Sequence, residues 1–179
     1  MKILVIGDIV GKNGTDFLRA KLGALKSEKN IDFVIANGEN SAEGNGIIPD
    51  SARKILGGGV DVITGGNHSF RRREFFQILS DNNKILRPYN FPGEKTPGVG
   101  FCKSEVNGVK IAVINLLGVV YLESLDNPFK AVDRAIHLCS DCKIKIIDFH
   151  AEATAEKLAM GYYVDGRVSA VFGTHTHVQ

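Results

Sequence analysis

Six short β-rich runs with helical stretches between them limit this chain to a small set of folds. They are KILVIG (2–7), IDFVIAN (31–37), VDVITG (60–65), VKIAVINLL (109–117), KIKIIDF (143–149) and VSAVFG (168–173). Between the first two, Leu18, Leu22 and Leu25 recur at helical spacing. Between the next two, Pro49 stands where a helix opens and Gly57-Gly58-Gly59 where it stops. Strand and helix alternate, so the expected fold class is α/β with at least partly parallel pairing.

The middle of the chain departs from that rhythm. RPYNFPGEKTPGVG (87–100) holds three of the five prolines and reads as a loop. FCKSEVNGVKIAV then reads as two strands joined through Asn107-Gly108, a type I′ hairpin signal, so some antiparallel pairing is expected. No internal repeat or linker divides the sequence, and residues 1–179 are expected to form one domain. A chain of that length buries roughly 70% of its unfolded surface.

Composition narrows the partners. A formal net charge of +2 with mixed signs lacks the basic field of a dedicated nucleic-acid binder and leaves small acidic or phosphorylated substrates open. The apolar stretch in MKILVIGD ends at Asp8, shorter than the ~7 to 15 residues of a signal-peptide core, so no export is expected. The longest apolar region, Val109 to Leu122, is interrupted by Lys110, Asn115 and Gly118 and falls short of the ~20 residues of a membrane span. Three cysteines, an odd number, suit a reducing cytoplasmic setting. Cys139 and Cys142 form a CxxC with no second pair at zinc-knuckle spacing and read as packing residues, as His137 reads as packing or surface. GDIVGK is not a P-loop, because Gly7 and Gly11 enclose three residues where four are needed and Asn13 stands where Ser or Thr would hold Mg²⁺.

The polar residues able to do chemistry fall just after the apolar runs. Asp8 follows the first, Glu39 and Asn40 the second, and Asn67 and His68 the third; His150 ends KIKIIDFH, and His175 and His177 follow the last. In open α/β sheets the carboxyl ends of the strands form the ligand crevice, so residues scattered in sequence are expected to converge there. In extended backbone His175 and His177 leave the same face about 6.5 to 7 Å apart, which suits one metal or two adjacent ones. Two carboxylates, two carboxamides and four imidazoles make an O/N donor set without thiolate, suited to Fe, Mn or Zn in higher coordination. Singly, each has an ordinary reading: Asp8 as a turn or cap residue, Asn40 and Asn67 as turn formers, Glu39 as a solvated carboxylate, His150 as a packed histidine.

The motifs GD (7–8), GEN (38–40), GNH (66–68), a lone His150 and GTHTH (173–177) resemble, in the same order, the calcineurin-like metallophosphoesterases. More narrowly, GDIVGKNG, DFVIANGEN, DVITGGNH, DFHAEAT and DGRVSAVFGTHTHVQ resemble the YmdB-type branch of bacterial phosphodiesterases active on 2′,3′-cyclic nucleotides. The resemblance implies a four-layer αββα sandwich with mixed sheets and two divalent or mixed-valence metal ions, Fe or Mn ahead of Zn. It implies that Asp8, Glu39, Asn40 and His177 hold one ion and Asn67, His150 and His175 the other, with Glu39 bridging. His68 would be the general acid for attack of a metal-activated hydroxide on a 2′,3′-cyclic nucleotide or another phosphodiester, RNA ends included.

The chain departs from that pattern in three places. The wider superfamily has Asp-x-His in its first block, whereas Ile9 and Val10 follow Asp8, so Asn40 is expected to fill in. Arg71, Arg72 and Arg73 follow GNH, where the branch usually has an aromatic and acidic stretch, and would lie near the mouth of the site. Family members continue past HVQ with further strands, so either the sequence is a fragment or the fold closes differently, with help from another chain at a sheet edge that a shortened sandwich would expose. An alternative class also fits the ligand set: a metal-stabilised regulatory or RNA-associated protein with weak or no catalysis. Hydrolysis of a chromogenic phosphodiester separates the two.

Overall fold

The computed structural model describes residues 1–93 and 96–177; Glu94 and Lys95 of the expected loop and Val178-Gln179 of the last motif lie outside the described residues. The strands are β1 (Ile3–Ile6), β2 (Phe33–Asn37), β3 (Val62–Thr64), β4 (Phe101–Val106), β5 (Val109–Leu117), β6 (Ile144–Ala151) and β7 (Ala170–His175). The α-helices are α1 (Gly11–Lys29), α2 (Pro49–Gly57), α3 (Phe76–Asp81), α4 (Pro128–Leu138) and α5 (Thr154–Tyr163), with a 3₁₀ turn at Arg73–Phe75 before α3.

Two sheets result. One has the order β1-β2-β3, all parallel; the other has the order β4-β5-β6-β7, parallel except for the β4–β5 hairpin. That hairpin turns through Asn107 (φ 52°) and Gly108 (φ 76°), the two positive φ values that a type I′ turn needs. Helix α1 buries Thr15, Leu18 and Leu22 and ends at Asn30, whose left-handed backbone (φ 53°) closes the last turn. Pro49 opens α2, which ends at Gly57.

Strand alternation sorts the side chains into layers. From the first sheet, Phe33, Ile35 and Val62 face Cys102, Ile111, Val113 and Ile146 of the second, forming a core between the sheets. The opposite parity, Val34, Ala36 and Ile63, packs under α1, α2 and α3 with Leu18, Leu22, Ile55 and Leu79. Ile114, Leu116, Ile147 and Phe149 pack under α4 and α5 with Ala131, Val132 and Met160. The layer order is therefore helix, sheet, sheet, helix, the αββα arrangement expected from sequence. Cys139 and Cys142 are buried free thiols against Ala112 and Phe101, and His137 is exposed on α4.

The same alternation carries the inner faces from apolar to polar along each parallel strand. Phe33 and Ile35 are followed at the same parity by Asn37, Val62 by Thr64, Ile111 and Val113 by Asn115, Ile146 by Asp148 and His150, and Phe172 by Thr174. All of these polar residues are buried. A dry core thus gives way to a polar seam at the C-terminal ends of both sheets.

Ile35 is fully buried between the sheets, whereas Phe17 on α1 is 67% exposed. Ile35→Ala is expected to lower unfolding stability by about 2 to 5 kcal/mol, read from urea denaturation. Phe17→Ala should change it by no more than about 0.5 kcal/mol in the same assay.

Candidate metal centre

The residues picked out along the sequence meet at the end of the polar seam, in two groups on either side of Glu39. In the first group, the Asn40 amide donates to Asp8 Oδ2 (3.3 Å) and His177 Nε2 lies 3.2 Å from the same oxygen. Asp8 Oδ1 accepts the backbone N–H of His175 at 3.1 Å, tying the end of β1 to the end of β7. The carbonyl of Asn40 accepts the N–H of Gly11 at the start of α1 (2.9 Å) and that of Gly44 (3.0 Å), which fixes this loop. In the second group, His150 Nε2 lies 3.0 Å from Asn67 Oδ1 and 3.1 Å from His175 Nδ1.

Glu39 stands between the groups, 1% exposed. Its Oε2 accepts the backbone N–H of His68 (2.9 Å) and lies 3.5 Å from His150 Nε2. Its Oε1 is buried without a hydrogen-bond partner. The nearest cationic candidate, His68 Nδ1 at 3.1 Å, is aligned instead on Asn40 Oδ1 at 2.9 Å. The GGNH turn passes very close to these atoms: a Cβ on Gly66 would sit 2.4 Å from both Glu39 Oε2 and His150 Nε2. Only glycine lets the backbone approach so near.

The HTH pair differs from its extended-strand expectation. His175 is the last residue of β7 with φ 93°, and His177 has φ 54°. Positive φ breaks the pleat, so the two imidazoles do not leave one face as a pair. His175 turns toward His150, with its Nε2 2.8 Å from Glu152 Oε2, and His177 turns toward Asp8. Left-handed backbone at non-glycine residues is costly and concentrates at functional sites.

Sequence reasoning missed the layer beneath. Asp148 receives three donors: the Thr174 hydroxyl at Oδ1 (2.7 Å), and at Oδ2 both the Thr64 hydroxyl and the Asn37 amide (3.1 Å). The Asn37 amide is oriented by the Glu39 N–H donating to its Oδ1 (3.1 Å). Asn115 Oδ1 accepts the Gly65 N–H at 2.9 Å and so holds the start of the GGNH turn. A polar residue at inner parity in an otherwise apolar strand was the available signal. Glu152, two residues before an α-helix whose first turn also carries Glu156, gave none beyond its position.

Burial dominates the electrostatics. It pushes the Glu39 carboxyl up to about 7, aided by the nearby Asp8 charge and opposed by the His68 N–H. Asp148 is likewise raised to about 7 by burial, against its three donors. His150 is held well below the ordinary histidine range by burial and by the neighbouring His175, and is therefore a neutral imidazole with a free lone pair. His68 is lowered by burial and then by Arg71, the member of the arginine run felt at the site. Arg72 Nε instead donates to the Asn45 carbonyl at 3.0 Å, and Arg73 begins the 3₁₀ turn.

The donor set fits a cation. One ligand atom each of Glu39, His150 and His175 lies within 4.8 Å of the others, and Asn67 Oδ1 joins them. Such a cluster of lone pairs beside a buried carboxylate, one of whose oxygens has no donor, is chemistry that a divalent ion satisfies.

Fold and site together describe a metallophosphoesterase-like architecture. The same fold occurs in the NAD nucleotidase of Haemophilus influenzae, whose solved structure matches with a TM-score of 0.63 at 18% identity, covering 92% of this chain and 36% of that one. The model of the YmdB-like protein family matches residues 4–179, and the chain belongs to that family. It is 46% identical to the 2′,3′-cyclic-nucleotide 2′-phosphodiesterase of Bacillus subtilis, over 100% of this chain and 68% of that protein. The solved structure of a novel phosphatase from Mycoplasma pneumoniae superimposes with a TM-score of 0.92 at 36% identity, covering 99% of this chain and 65% of that one. The chain thus spans about two thirds of the length of these relatives. Among the described residues, no helix is long and apolar enough to cross a membrane.

Because the folded Glu39 carboxyl lies near 7 and its unfolded value near 4.5, the metal-free folded state binds the extra proton between those values. Its contribution to stability is therefore lost as pH rises from about 4.5 through about 7. Metal-free Glu39→Gln should match wild type at pH 4.5 and exceed it at pH 8 by on the order of 3 kcal/mol, read as a widening gap in thermal midpoint.

Proposed function

We propose that this chain is a metal-dependent phosphodiesterase acting on 2′,3′-cyclic nucleotides or chemically similar diesters. The observation that carries the reading is the buried Glu39 carboxylate, one oxygen without a donor, set between Asp8, Asn40 and His177 on one side and Asn67, His150 and His175 on the other. The relative's name, a 2′,3′-cyclic-nucleotide 2′-phosphodiesterase, supplies the substrate class.

In this reading Asp8, Glu39, Asn40 and His177 would hold one ion and Asn67, His150 and His175 would hold a second, with Glu39 available to both. The ions, Fe, Mn or Zn, supply Lewis acidity toward the phosphoryl oxygens and an activated water. The protein's part is to fix the donor atoms and to deliver a proton. His68 Nδ1–H is held by Asn40 Oδ1, so its imidazolium carries the transferable proton on Nε2. Backbone donation from His68 to Glu39 at 2.9 Å ties the acid to the carboxylate that would hold the ions. That Nε2 proton goes to the departing ribose oxygen as the P–O bond breaks. Burial and the charge of Arg71 make the imidazolium a stronger acid, and Arg71 attracts the anionic substrate to the mouth.

Hydrolysis of bis(p-nitrophenyl) phosphate with added Mn²⁺ or Fe²⁺ tests the assignment. Wild type should turn over, and Glu39→Gln should lose both bound metal and activity. Metal uptake by wild type without turnover would overturn the enzymatic reading.

His68→Ala should keep the metal content and lose about 10²- to 10⁴-fold in kcat on a 2′,3′-cyclic nucleotide, whose departing ribose oxygen needs the proton. It should also lose the fall in rate with rising pH that accompanies deprotonation of the acid. Equal loss of metal would make His68 a ligand and not a proton donor.

A further inference from the structure

The buried chain Asp148–Thr174–His150 has a direction that its partners dictate. The Asn37 amide is oriented by the Glu39 N–H at its Oδ1, so its Nδ2 hydrogens go to the Gly65 carbonyl (3.0 Å) and to Asp148 Oδ2 (3.1 Å). Thr64 donates to the same oxygen. The remaining oxygen, Oδ1, accepts the Thr174 hydroxyl at 2.7 Å. With its only proton spent on Asp148, the Thr174 oxygen can serve His150 Nδ1, 2.8 Å away, only as an acceptor. Asn37 Nδ2 also lies 3.5 Å from His150 Nδ1, but both of its hydrogens are already engaged at shorter range. His150 must therefore carry its proton on Nδ1, leaving the Nε2 lone pair facing Asn67 Oδ1, Glu39 Oε2 and His175 Nδ1.

We infer that Asp148 and Thr174 are positioning residues that lock His150 in the Nδ1–H tautomer, so that Nε2 is presented to a divalent cation. The relay spans both sheets: Asp148 lies on β6 and Thr174 on β7, while Thr64 and Asn37 reach it from β3 and β2. A histidine whose outer nitrogen is tied in this way holds metal more tightly and in a fixed ring orientation. The tautomer is a property of the chain itself; its consequence for metal rests on the reading of His150 as a ligand proposed above.

Two substitutions act on the relay in different ways. Thr174→Val keeps the shape and removes the hydroxyl, so nothing fixes the tautomer. Asp148→Asn reverses the direction: Thr64 and Asn37 hold the new carboxamide oxygen where Oδ2 was, and the new NH₂ donates to Thr174. The Thr174 hydroxyl is then free to donate to His150 Nδ1, which moves the ring proton to Nε2. Thr174→Ser keeps the hydroxyl and should behave as wild type.

Nitrogen-15 NMR of histidine-labelled, metal-free protein at pH 8 reads the tautomer directly, with His150→Asn assigning the signal. Wild type and Thr174→Ser should show Nδ1–H, Asp148→Asn Nε2–H, and Thr174→Val a mixture. Zn²⁺ affinity, measured against a chromogenic chelator, should fall about 10- to 100-fold in Thr174→Val and Asp148→Asn and return in Thr174→Ser. An Nε2–H tautomer in wild type, or an unchanged tautomer and Zn²⁺ affinity in Thr174→Val, would overturn the relay. The expected tautomers in a wild type that takes up no Zn²⁺ would support the relay and overturn the ion reading instead.

Discussion

Asp148 is the deepest-set of the polar contacts that join the two sheets, being fully buried between their inner faces. Its carboxylate accepts from Thr64 and Asn37 of one sheet and from Thr174 of its own, at the depth where the inner strand faces turn polar. A carboxyl group fully shielded from water is tolerated only when its lone pairs are met, and here three donors meet them. This junction fixes the spacing and register of β2, β3, β6 and β7 at their C-terminal ends. The side chains just beyond it, Glu39, Asn67, His150 and His175, inherit their positions from that junction.

The candidate centre is expensive to build. It buries a carboxylate, one oxygen of which has no donor, beside the neutral imidazole of His150, and it uses positive φ at His175 and His177. Burial, aided by the Asp8 charge, raises Glu39 to about 7, so the folded chain without a cation disfavours a charged carboxylate there. Such local costs are offset by the three apolar layers around it. They also explain why the first and last strands are brought together: the Asp8 carboxylate accepts the His175 N–H and faces the His177 ring.

Much of this was legible in the sequence. The runs of apolar residues marked the strands to within a few positions, because parallel strands buried on both faces must be continuously apolar. Asn107-Gly108 announced its turn because only a few residues adopt two successive positive φ values. The metal-ligand candidates were visible because each stood where an apolar run stopped. Asn37, Thr64, Asn115, Asp148 and Thr174 were not picked out, since a single polar residue inside an apolar strand looks like a tolerated exception until its partners are known. The different destinations of His175 and His177 were also out of reach, because spacing assumes an extended backbone that the chain abandons there.

What the sequence determined by itself was the alternation of strands and helices, the hairpin, and a family-like set of oxygen and nitrogen donors in order along the chain. Local propensity and periodicity suffice for these, because each depends on residues within a few positions of one another. Only the tertiary structure decided which donors share a partner, which nitrogen of His150 faces the centre, and which carboxylate lies beneath it. Those outcomes depend on hydrogen bonds between residues as many as 167 positions apart, as between Asp8 and His175, and no local pattern encodes a distance of that kind.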